Sequence, residues 1–468
     1  MWYVEVIGEI SRGNSRSYQL LNLMEVDMSM KKLVVSGLLA ALITSPFVVN
    51  TASAADDHIY MAGLSYRTGP YAPNGVPFGN GFADYLTLLN ERDGGVGGVP
   101  IVYEECEMGY NTKIAVECYE KLKGKRPQVV IPNSTGVTYQ LIPKVAVDKI
   151  PLFTMGYGRT SAAVGSVFPW VFNFPATYWS QATAVISYIG AEMGGMDKLK
   201  GKRIAHVFHN SAYGKEANPT LQVLSEKFGF DLMLLAVDHP GQEQKATWLQ
   251  IRKKRPDYVF MSGWGIMNST AMKEAAAINY PMDRFIGNWW SGSENDVMPA
   301  GLAADGYRSA TFHGSGAETP LHKEIKKHVY DKGLGGYDKS DVNRIYEVLY
   351  IRGLLNHVFA MEAVRNAQTH FGVKVPSGEQ TRWALENMHM TAADWERVGL
   401  PGFPEIKVSC DDHEGGHPVL FQRWDANAKS WSIVSDWIPT MRDLVRPMME
   451  ADAAKYASEN NITPRDCG

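Results

Sequence analysis

Short apolar segments that alternate with segments of helical periodicity are the feature that most limits what this chain can fold into. A first series of predicted strands covers residues 59–64, 99–103, 129–131 and 151–154. A second series covers residues 203–208, 231–236, 258–261 and 284–287. Strands that alternate with helices form parallel βαβ units, so the sequence predicts an α/β fold. Because the alternation starts twice, we expect two lobes, each with a doubly wound and mainly parallel sheet.

The N-terminal region carries a pattern that is typical of a secretory signal peptide. Met30 is followed by two lysines, an apolar run over 33–49 and small residues that end at Ala54. We therefore expect cleavage near Ala54 and a mature protein in the periplasm. An uncleaved anchor is the alternative, because the apolar run is marginal in length for a membrane span. Residues 1–29 place acidic residues ahead of the lysines, and we interpret them as a gene-model extension.

Composition and motifs argue against several classes of protein. A net charge of −4 without a basic stripe does not favour nucleic-acid binding. The sequence has neither a P-loop nor a dinucleotide-binding fingerprint, and we expect no cofactor. Its match to a serine nucleophile elbow at 314–316 is truncated, and no nucleophile and base are recognisable as a pair. We expect a protein that is not an enzyme.

The four cysteines, Cys106, Cys118, Cys410 and Cys467, are an even number in an oxidising compartment, where disulfides form. Three pairings are possible. Cys106 ends a strand-like run and Cys118 lies in the helix-like segment that follows. Proximity therefore favours one bridge between these two and a second between Cys410 and Cys467. Free buried thiols are the alternative.

His413 and His417 stand four residues apart beside several carboxylates, a spacing that could hold zinc. They precede a predicted hairpin at 419–437 rather than a helix, however. We expect no metal at this segment.

In parallel sheets, ligands bind beyond the carboxyl ends of the strands, where loops meet the N-termini of helices. The segments that follow the predicted strands are 65–71, 133–135, 155–159, 210–214, 263–265 and 287–292. They are rich in glycine, hydroxyl groups and aromatic rings. The sequence therefore predicts a binding site for a small molecule between these loops.

Over residues 57–437 these loops resemble the periplasmic solute-binding proteins of branched-chain amino-acid ABC transporters. The strongest similarity is Asn-Glu-Arg-Asp-Gly-Gly-Val-Gly-Gly at 90–98, which is close to that family's glycine-rich turn. Ser-Tyr-Arg-Thr-Gly-Pro-Tyr at 65–71 is similar to its entry loop, and Pro-Asp-Tyr-Val at 256–259 to its strand opener. The apolar strand that runs into Ser134 and Thr135 also matches.

The resemblance implies two lobes joined by three crossovers, with a ligand trapped in the cleft by hinge closure. Residues 56–177 and 309–398 would form the first lobe, and residues 178–308 and 399–437 the second. Residues 438–468 would be a C-terminal tail.

The resemblance also implies which residues contact the ligand. In that family a carboxylate is held by backbone amides and a hydroxyl, which map here to Ser134, Thr135, Gly156 and Tyr157. Arg159 could instead pair with the carboxylate, or be a solvated loop arginine. Further candidates are aromatic residues of the first loop and of the second lobe: Tyr66, Tyr71, Tyr213, Trp264 and Trp289.

One departure from the family concerns an acidic residue that follows the strand at 284–287 and pairs with the α-ammonium of an amino-acid ligand. Trp289 and Trp290 stand at that place, and burying an ammonium without an anion would be costly. We therefore expect a small organic acid with an apolar or aromatic group. If Glu294 or Asp296 replaces the missing acid, the ligand is a branched-chain or hydrophobic amino acid.

The function implied is that of a monomeric receptor that delivers its ligand to an ABC permease in the inner membrane. The alternative is a sensory or regulatory module of the same fold that signals occupancy to a partner.

Overall fold

The computed structural model describes residues 58–468, so the predicted signal peptide and the segment before it lie outside the described residues. The strands are β1 (Ile59–Ser65), β2 (Ile101–Glu107), β3 (Val130–Ile131), β4 (Leu152–Phe153), β5 (Val171–Phe172), β6 (Arg203–His209), β7 (Asp231–Val237), β8 (Tyr258–Ser262), β9 (Phe285–Gly287), β10 (Arg308–Thr311), β11 (His389–Met390), β12 (Ile406–Lys407), β13 (Leu420–Asp425) and β14 (Ser430–Ile433).

The α-helices are α1 (Ala72–Asp93), α2 (Thr112–Leu122), α3 (Thr135–Asp148), α4 (Tyr178–Glu192), α5 (Ala212–Lys215), α6 (Asn218–Phe228), α7 (Lys245–Lys254), α8 (Ile266–Ala277), α9 (Glu294–Val297), α10 (Pro320–Ile325), α11 (Val348–Phe371), α12 (Gly378–Glu386), α13 (Ala392–Val398) and α14 (Arg442–Glu459).

Two sheets organise the described residues. The first has the order β2-β1-β3-β4-β5, and all its strands are parallel. The second has the order β14-β13-β10-β9-β8-β6-β7, and only the hairpin β13–β14 and its pairing with β10 are antiparallel. The predicted α/β fold with two mainly parallel sheets is therefore confirmed. We call the parts built on the first and second sheets the first and second lobes.

Up to β13 the chain passes between the lobes three times. It enters the second sheet after β5, leaves that sheet after β10 to form helices that pack on α1, and returns to it with β13. These passages place the carboxyl ends of the strands of both sheets on either side of one cleft. The residue boundaries predicted for the lobes remain a prediction.

Helix α11 is buried over most of its length and crosses α1 at close range. A Cβ added to Gly81 of α1 would lie 2.2 Å from the carbonyl oxygen of Tyr350, and one added to Gly353 of α11 would lie 2.3 Å from that of Phe78. Only glycine allows the two backbones to approach this closely. This contact fixes α1, whose N-terminal end follows the first predicted binding loop.

The cysteines pair as proximity predicts. Cys106, at the end of β2, is bonded to Cys118 of α2, and Cys410 is bonded to Cys467. The second bridge ties down the end of the chain beyond α14, so that the predicted tail is an ordered helix packed against residues 160–163.

No helix within residues 58–468 is long and apolar enough to cross a membrane.

Candidate functional site

A cavity lies in the cleft between the two lobes, at the carboxyl ends of the parallel strands. Its empty space amounts to about 310 Å³, a figure that includes space open to solvent. Its lining consists of Tyr66, Phe78, Tyr110, Asn133, Ser134, Thr135, Tyr157, Tyr178, Tyr213, Trp264 and Trp290. None of these side chains is normally charged.

The first lobe contributes the polar end of the cavity through the turn between β3 and α3. Ser134 is the N-cap of α3, and its side chain makes no capping hydrogen bond. Asn133 has a left-handed backbone (φ 52°) and donates its backbone N–H to Oη of Tyr157 at 2.9 Å. The hydroxyl of Thr135 accepts a hydrogen bond from the backbone of Gly158 at 3.2 Å. Hydroxyl groups at the start of a 14-residue helix can bind an anion.

Aromatic rings from both lobes form the rest of the lining. Burial raises the pKa of Tyr110 to about 12, and burial also raises the pKa of Tyr66, Tyr157, Tyr178 and Tyr213. The phenols are therefore neutral at physiological pH. They supply apolar ring surface and neutral hydrogen-bonding groups.

Of the predicted binding residues, the structure brings six into the lining: Tyr66, Ser134, Thr135, Tyr157, Tyr213 and Trp264. Gly156, Tyr71, Arg159 and Trp289 stand outside it. Phe78, Tyr110, Asn133 and Tyr178 were not predicted as binding residues, and of the tryptophan pair at 289–290 only Trp289 was selected for the site. Asn133 and Trp290 lie within the loops that follow strands, the same signal that selected the others.

Gly156 and Trp289 form the wall behind the cavity. The backbone oxygen of Gly156, in the first lobe, accepts hydrogen bonds from the indole Nε1 of Trp289 at 2.9 Å and of Trp290 at 3.2 Å. Trp289 is fully buried between the rings of Tyr178 and Phe312. Trp289 therefore joins the lobes, whereas Trp290 presents its ring to the cavity.

Tyr71 also joins the lobes rather than lining the cavity. Its hydroxyl lies 3.2 Å from Nε2 of His209 and 3.0 Å from Nε2 of His239. Burial, with repulsion from His239, lowers the pKa of His209 to about 4. His209 is therefore uncharged near neutral pH.

Arg159 turns away from the cleft toward the C-terminal helix. Its guanidinium pairs with Asp452 of α14 and lies 4.7 Å from the ring centroid of Tyr456. In this arrangement the guanidinium of Arg159 is already paired with the C-terminal helix.

The acidic residues that could replace the missing ammonium partner lie beside the cavity but not in its lining. Asp296 accepts hydrogen bonds from the backbone and hydroxyl of Ser293, from Asn268 and, across the cleft, from Asn74. Glu294 accepts the backbone N–H of Val348 at 3.0 Å, and burial raises its pKa to about 8. Both carboxyl groups are thus already engaged within the protein.

His413 and His417, whose spacing could hold zinc, each lie within hydrogen-bond distance of a backbone carbonyl oxygen. Nδ1 of His413 lies 2.6 Å from the carbonyl oxygen of Val171, and Nδ1 of His417 lies 2.6 Å from that of Pro418. Within residues 58–468 no group of three or more potential ligands is placed to hold a metal ion.

The sequence and structure have relatives among known proteins. The model of the family described as periplasmic binding protein matches residues 58–429. A structure from the Pseudomonas fluorescens group, described as an ABC transporter permease, is 40% identical with a TM-score of 0.82, and the match covers 88% of this chain and 100% of that chain. No curated protein sequence matches the chain.

Two more distant structures share the fold. One is a branched-chain amino-acid ABC transporter protein from Thermus thermophilus with bound valine, at 22% identity and a TM-score of 0.68, with 83% of this chain and 99% of that chain covered. The other is a solute-binding protein from R. palustris in complex with benzoate, at 17% identity and a TM-score of 0.62, with 82% and 97% covered. With most of its length matched and its two-sheet α/β architecture shared, the chain belongs to the periplasmic binding protein family and has the type I fold of that family.

Proposed function

We propose that this protein is the periplasmic receptor of an ABC uptake system, and that it captures a small organic acid with an apolar or aromatic group. Membership of the periplasmic binding protein family and the two disulfides support a solute receptor that works outside the cytoplasm. The receptor closes its lobes over the ligand and, as a monomer, presents the closed form to a permease in the inner membrane.

The cavity lining is the observation that carries the proposed ligand class. Ser134 and the start of α3 offer hydrogen-bond donors to a carboxylate, while the remaining lining is mostly aromatic. Neutral donors can hold a carboxylate without a buried counter-ion, but an ammonium group needs an anion that the lining does not offer. Benzoate, the ligand of one distant relative, has this combination of a carboxylate and an apolar ring.

A hydrophobic amino acid is the second candidate ligand. It is favoured by the bound valine of the Thermus thermophilus relative and by the nearness of Asp296 to the cavity wall. Binding of an amino acid would require Asp296 to give up part of its present hydrogen bonding to Asn74, Asn268 and Ser293.

A thermal-shift screen of the refolded protein tests the proposal, because any ligand bound only by the native state raises its melting temperature. The panel contains benzoate, phenylacetate and aliphatic acids, their amides, and leucine, valine and phenylalanine. We expect shifts with acids and none with the matched amides or the amino acids. Shifts with leucine and valine but not with the acids would establish the second candidate and overturn the first.

A further inference from the structure

The indole N–H of Trp264 is a buried donor that the protein leaves without an acceptor. Trp264 lines the cavity and is 5% exposed, and its Nε1 has no hydrogen-bond partner among the described residues. The other tryptophan in the lining, Trp290, donates to the carbonyl oxygen of Gly156. An unpaired buried donor costs free energy unless it gains a partner, and a ligand in the cavity that Trp264 lines would supply one.

The loop that carries Trp264 is held in place by the opposite lobe. Gly265 has a positive φ of 63°, and a Cβ at this position would lie 2.7 Å from Cδ1 of Tyr71. The ring of Trp264 meets that of Trp290 edge-on, with centroids 6.0 Å apart. Because packing fixes the loop and the ring, the N–H cannot easily turn to find another acceptor.

A second unpaired group lies in the first lobe's part of the lining. Nδ2 of Asn133 donates to the carbonyl oxygen of Leu64 at 2.9 Å, which fixes the orientation of the amide. Its Oδ1 is buried and has no donor within the described residues. The residues that line the cavity therefore include one unpaired buried donor and one unpaired buried acceptor.

Charge and hydrogen-bonding capacity limit what can satisfy these two atoms. The carboxylate of Asp296 is already hydrogen-bonded from several sides, and the guanidinium of Arg352 lies behind Trp290, 5.0 Å from its ring centroid. The guanidinium disfavours an ammonium, and a carboxylate cannot donate to Oδ1 of Asn133, so an uncharged group is favoured. A hydroxyl group can both accept from an indole N–H and donate to an amide oxygen.

We propose that the ligand is a hydroxylated organic acid, and that Trp264 determines this specificity by donating its indole N–H to the ligand hydroxyl, with Asn133 as a second partner for ligand hydroxyl groups. This inference rests on the proposed function, since it adds a hydroxyl to the organic acid proposed there. A site built to hydrogen-bond a hydroxyl discriminates against the analogue that lacks it, because the buried donor is then left unpaired.

Calorimetric titration of the refolded full chain with matched acids tests the inference. Each parent acid, benzoate or phenylacetate, is compared with its hydroxylated forms, with the hydroxyl placed at each ring position in turn. We expect at least one hydroxylated form to bind about tenfold or more tightly than its parent. If no hydroxylated acid binds more tightly than its parent, the inference is overturned.

The variant Trp264→Phe keeps an aromatic six-membered ring and removes the pyrrole ring of the indole together with its N–H. We expect it to reduce the preference for the hydroxylated acid over its parent to within about twofold. Trp248→Phe is the matched control, because Trp248 is buried away from the cavity and its N–H is paired with Gln244. An unchanged preference in Trp264→Phe would assign the selectivity to other groups and contradict the proposal.

A spectroscopic readout keeps the test independent of how well the variant folds. In a ¹H–¹⁵N spectrum of the unaltered protein, the indole resonance of Trp264 should move downfield with the hydroxylated acid and not with the parent acid. Different results would contradict this inference and the proposed function. Equal binding of parent and hydroxylated acids overturns only this inference, whereas equal binding of acids and their amides overturns the proposed function.

Discussion

Trp289 and Trp290 are neighbours in the sequence, but the structure gives them different surroundings. Trp289 is fully buried behind the cavity, and Trp290 lines it. The sequence could place a tryptophan pair at the cleft because the pair follows β9. It could not say which ring faces the ligand, because that depends on the turn after the strand.

The two tryptophans can be separated by matched substitutions. We expect Trp290→Phe to weaken ligand binding by about tenfold through lost ring contact and a lost hydrogen bond to Gly156. Trp289→Phe, which acts on the wall behind the cavity, should lower the melting temperature more and the affinity less. Titration and thermal unfolding of both variants check this. A greater loss of affinity in Trp289→Phe would return Trp289 to the role predicted from the sequence.

Ser134 is the residue from which we expect the most direct contact with a carboxylate. Ser134→Ala removes a hydroxyl that the helix cap does not use, and the loss of a hydrogen bond to a charged group should weaken acid binding by about tenfold. The exposed Ser430→Ala, at the start of β14, is the control. If Ser134→Ala binds benzoate as tightly as the unaltered protein, the carboxylate is held elsewhere.

His206 offers a test of protonation within the second sheet. Its ring nitrogens lie 2.7 Å from Oδ1 of Asn218 and 2.9 Å from Oγ of Ser262, and burial lowers its pKa to about 4. The unfolded chain, with an ordinary histidine pKa of about 6.5, binds more protons between these two values. The contribution of His206 to stability is therefore present above about pH 6.5 and falls as the pH decreases toward 4.

The measurement is the free energy of unfolding of the unaltered protein and of His206→Gln between pH 4 and pH 8. The difference between them should shrink on acidification, by up to about 3 kcal/mol across the window. A difference that is constant with pH would show that His206 is protonated as easily in the folded as in the unfolded protein.

At the scale of elements, residues 341–371 show what periodicity can and cannot predict. The apolar pattern there suggests two helices, whereas the structure has 3-10 turns at Lys339–Tyr346 and the single helix α11. Because α11 is buried on nearly all sides, its sequence lacks the polar face from which helix phase and length are read. The eight predicted strands of the two series match β1–β4 and β6–β9, whereas β5 and β10 were not predicted.

Arg159 shows a second limit of sequence reasoning. Its partner Asp452 lies on α14, far along the chain, and no local pattern relates the two. The proposal that Arg159 holds the ligand carboxylate would require this ion pair to open.

The disulfides are expected to contribute unequally to stability. The Cys106–Cys118 bridge spans 12 residues and the Cys410–Cys467 bridge spans 57. In the chain-entropy description the longer loop stabilises by about 1.4 kcal/mol more. Chemical unfolding of the double-alanine variants of each pair measures this difference. A greater loss on removing Cys106–Cys118 would show that folded-state contacts, not loop length, dominate.

At the scale of the whole molecule, hydrogen bonds between the lobes describe a closed arrangement. The hydroxyl of Tyr71 reaches His209 and His239, and Asn74 donates to Asp296 at 3.1 Å. Such contacts are lost when the lobes separate, so they favour the closed state and hence the bound ligand.

Tyr71→Phe tests the contribution of these contacts to closure. We expect the affinity to fall by about threefold to tenfold, mainly through faster ligand release, because the hydroxyl bridges the lobes. Stopped-flow measurement of the release rate checks this. Tyr346→Phe is the control, since the hydroxyl of Tyr346 contacts Glu318 at the surface. A release rate that is the same in Tyr71→Phe and in the control would exclude Tyr71 from closure.

We propose above all that the cleft recognises a carboxylate with neutral groups and covers the rest of the ligand with aromatic rings. Calorimetric titration of the refolded protein with benzoate and with benzamide tests it most directly, because the two differ only in the charged group. We expect benzoate to bind and benzamide to bind about tenfold more weakly or not at all. Equal binding of the two, or binding of leucine and valine but not of benzoate, would contradict it.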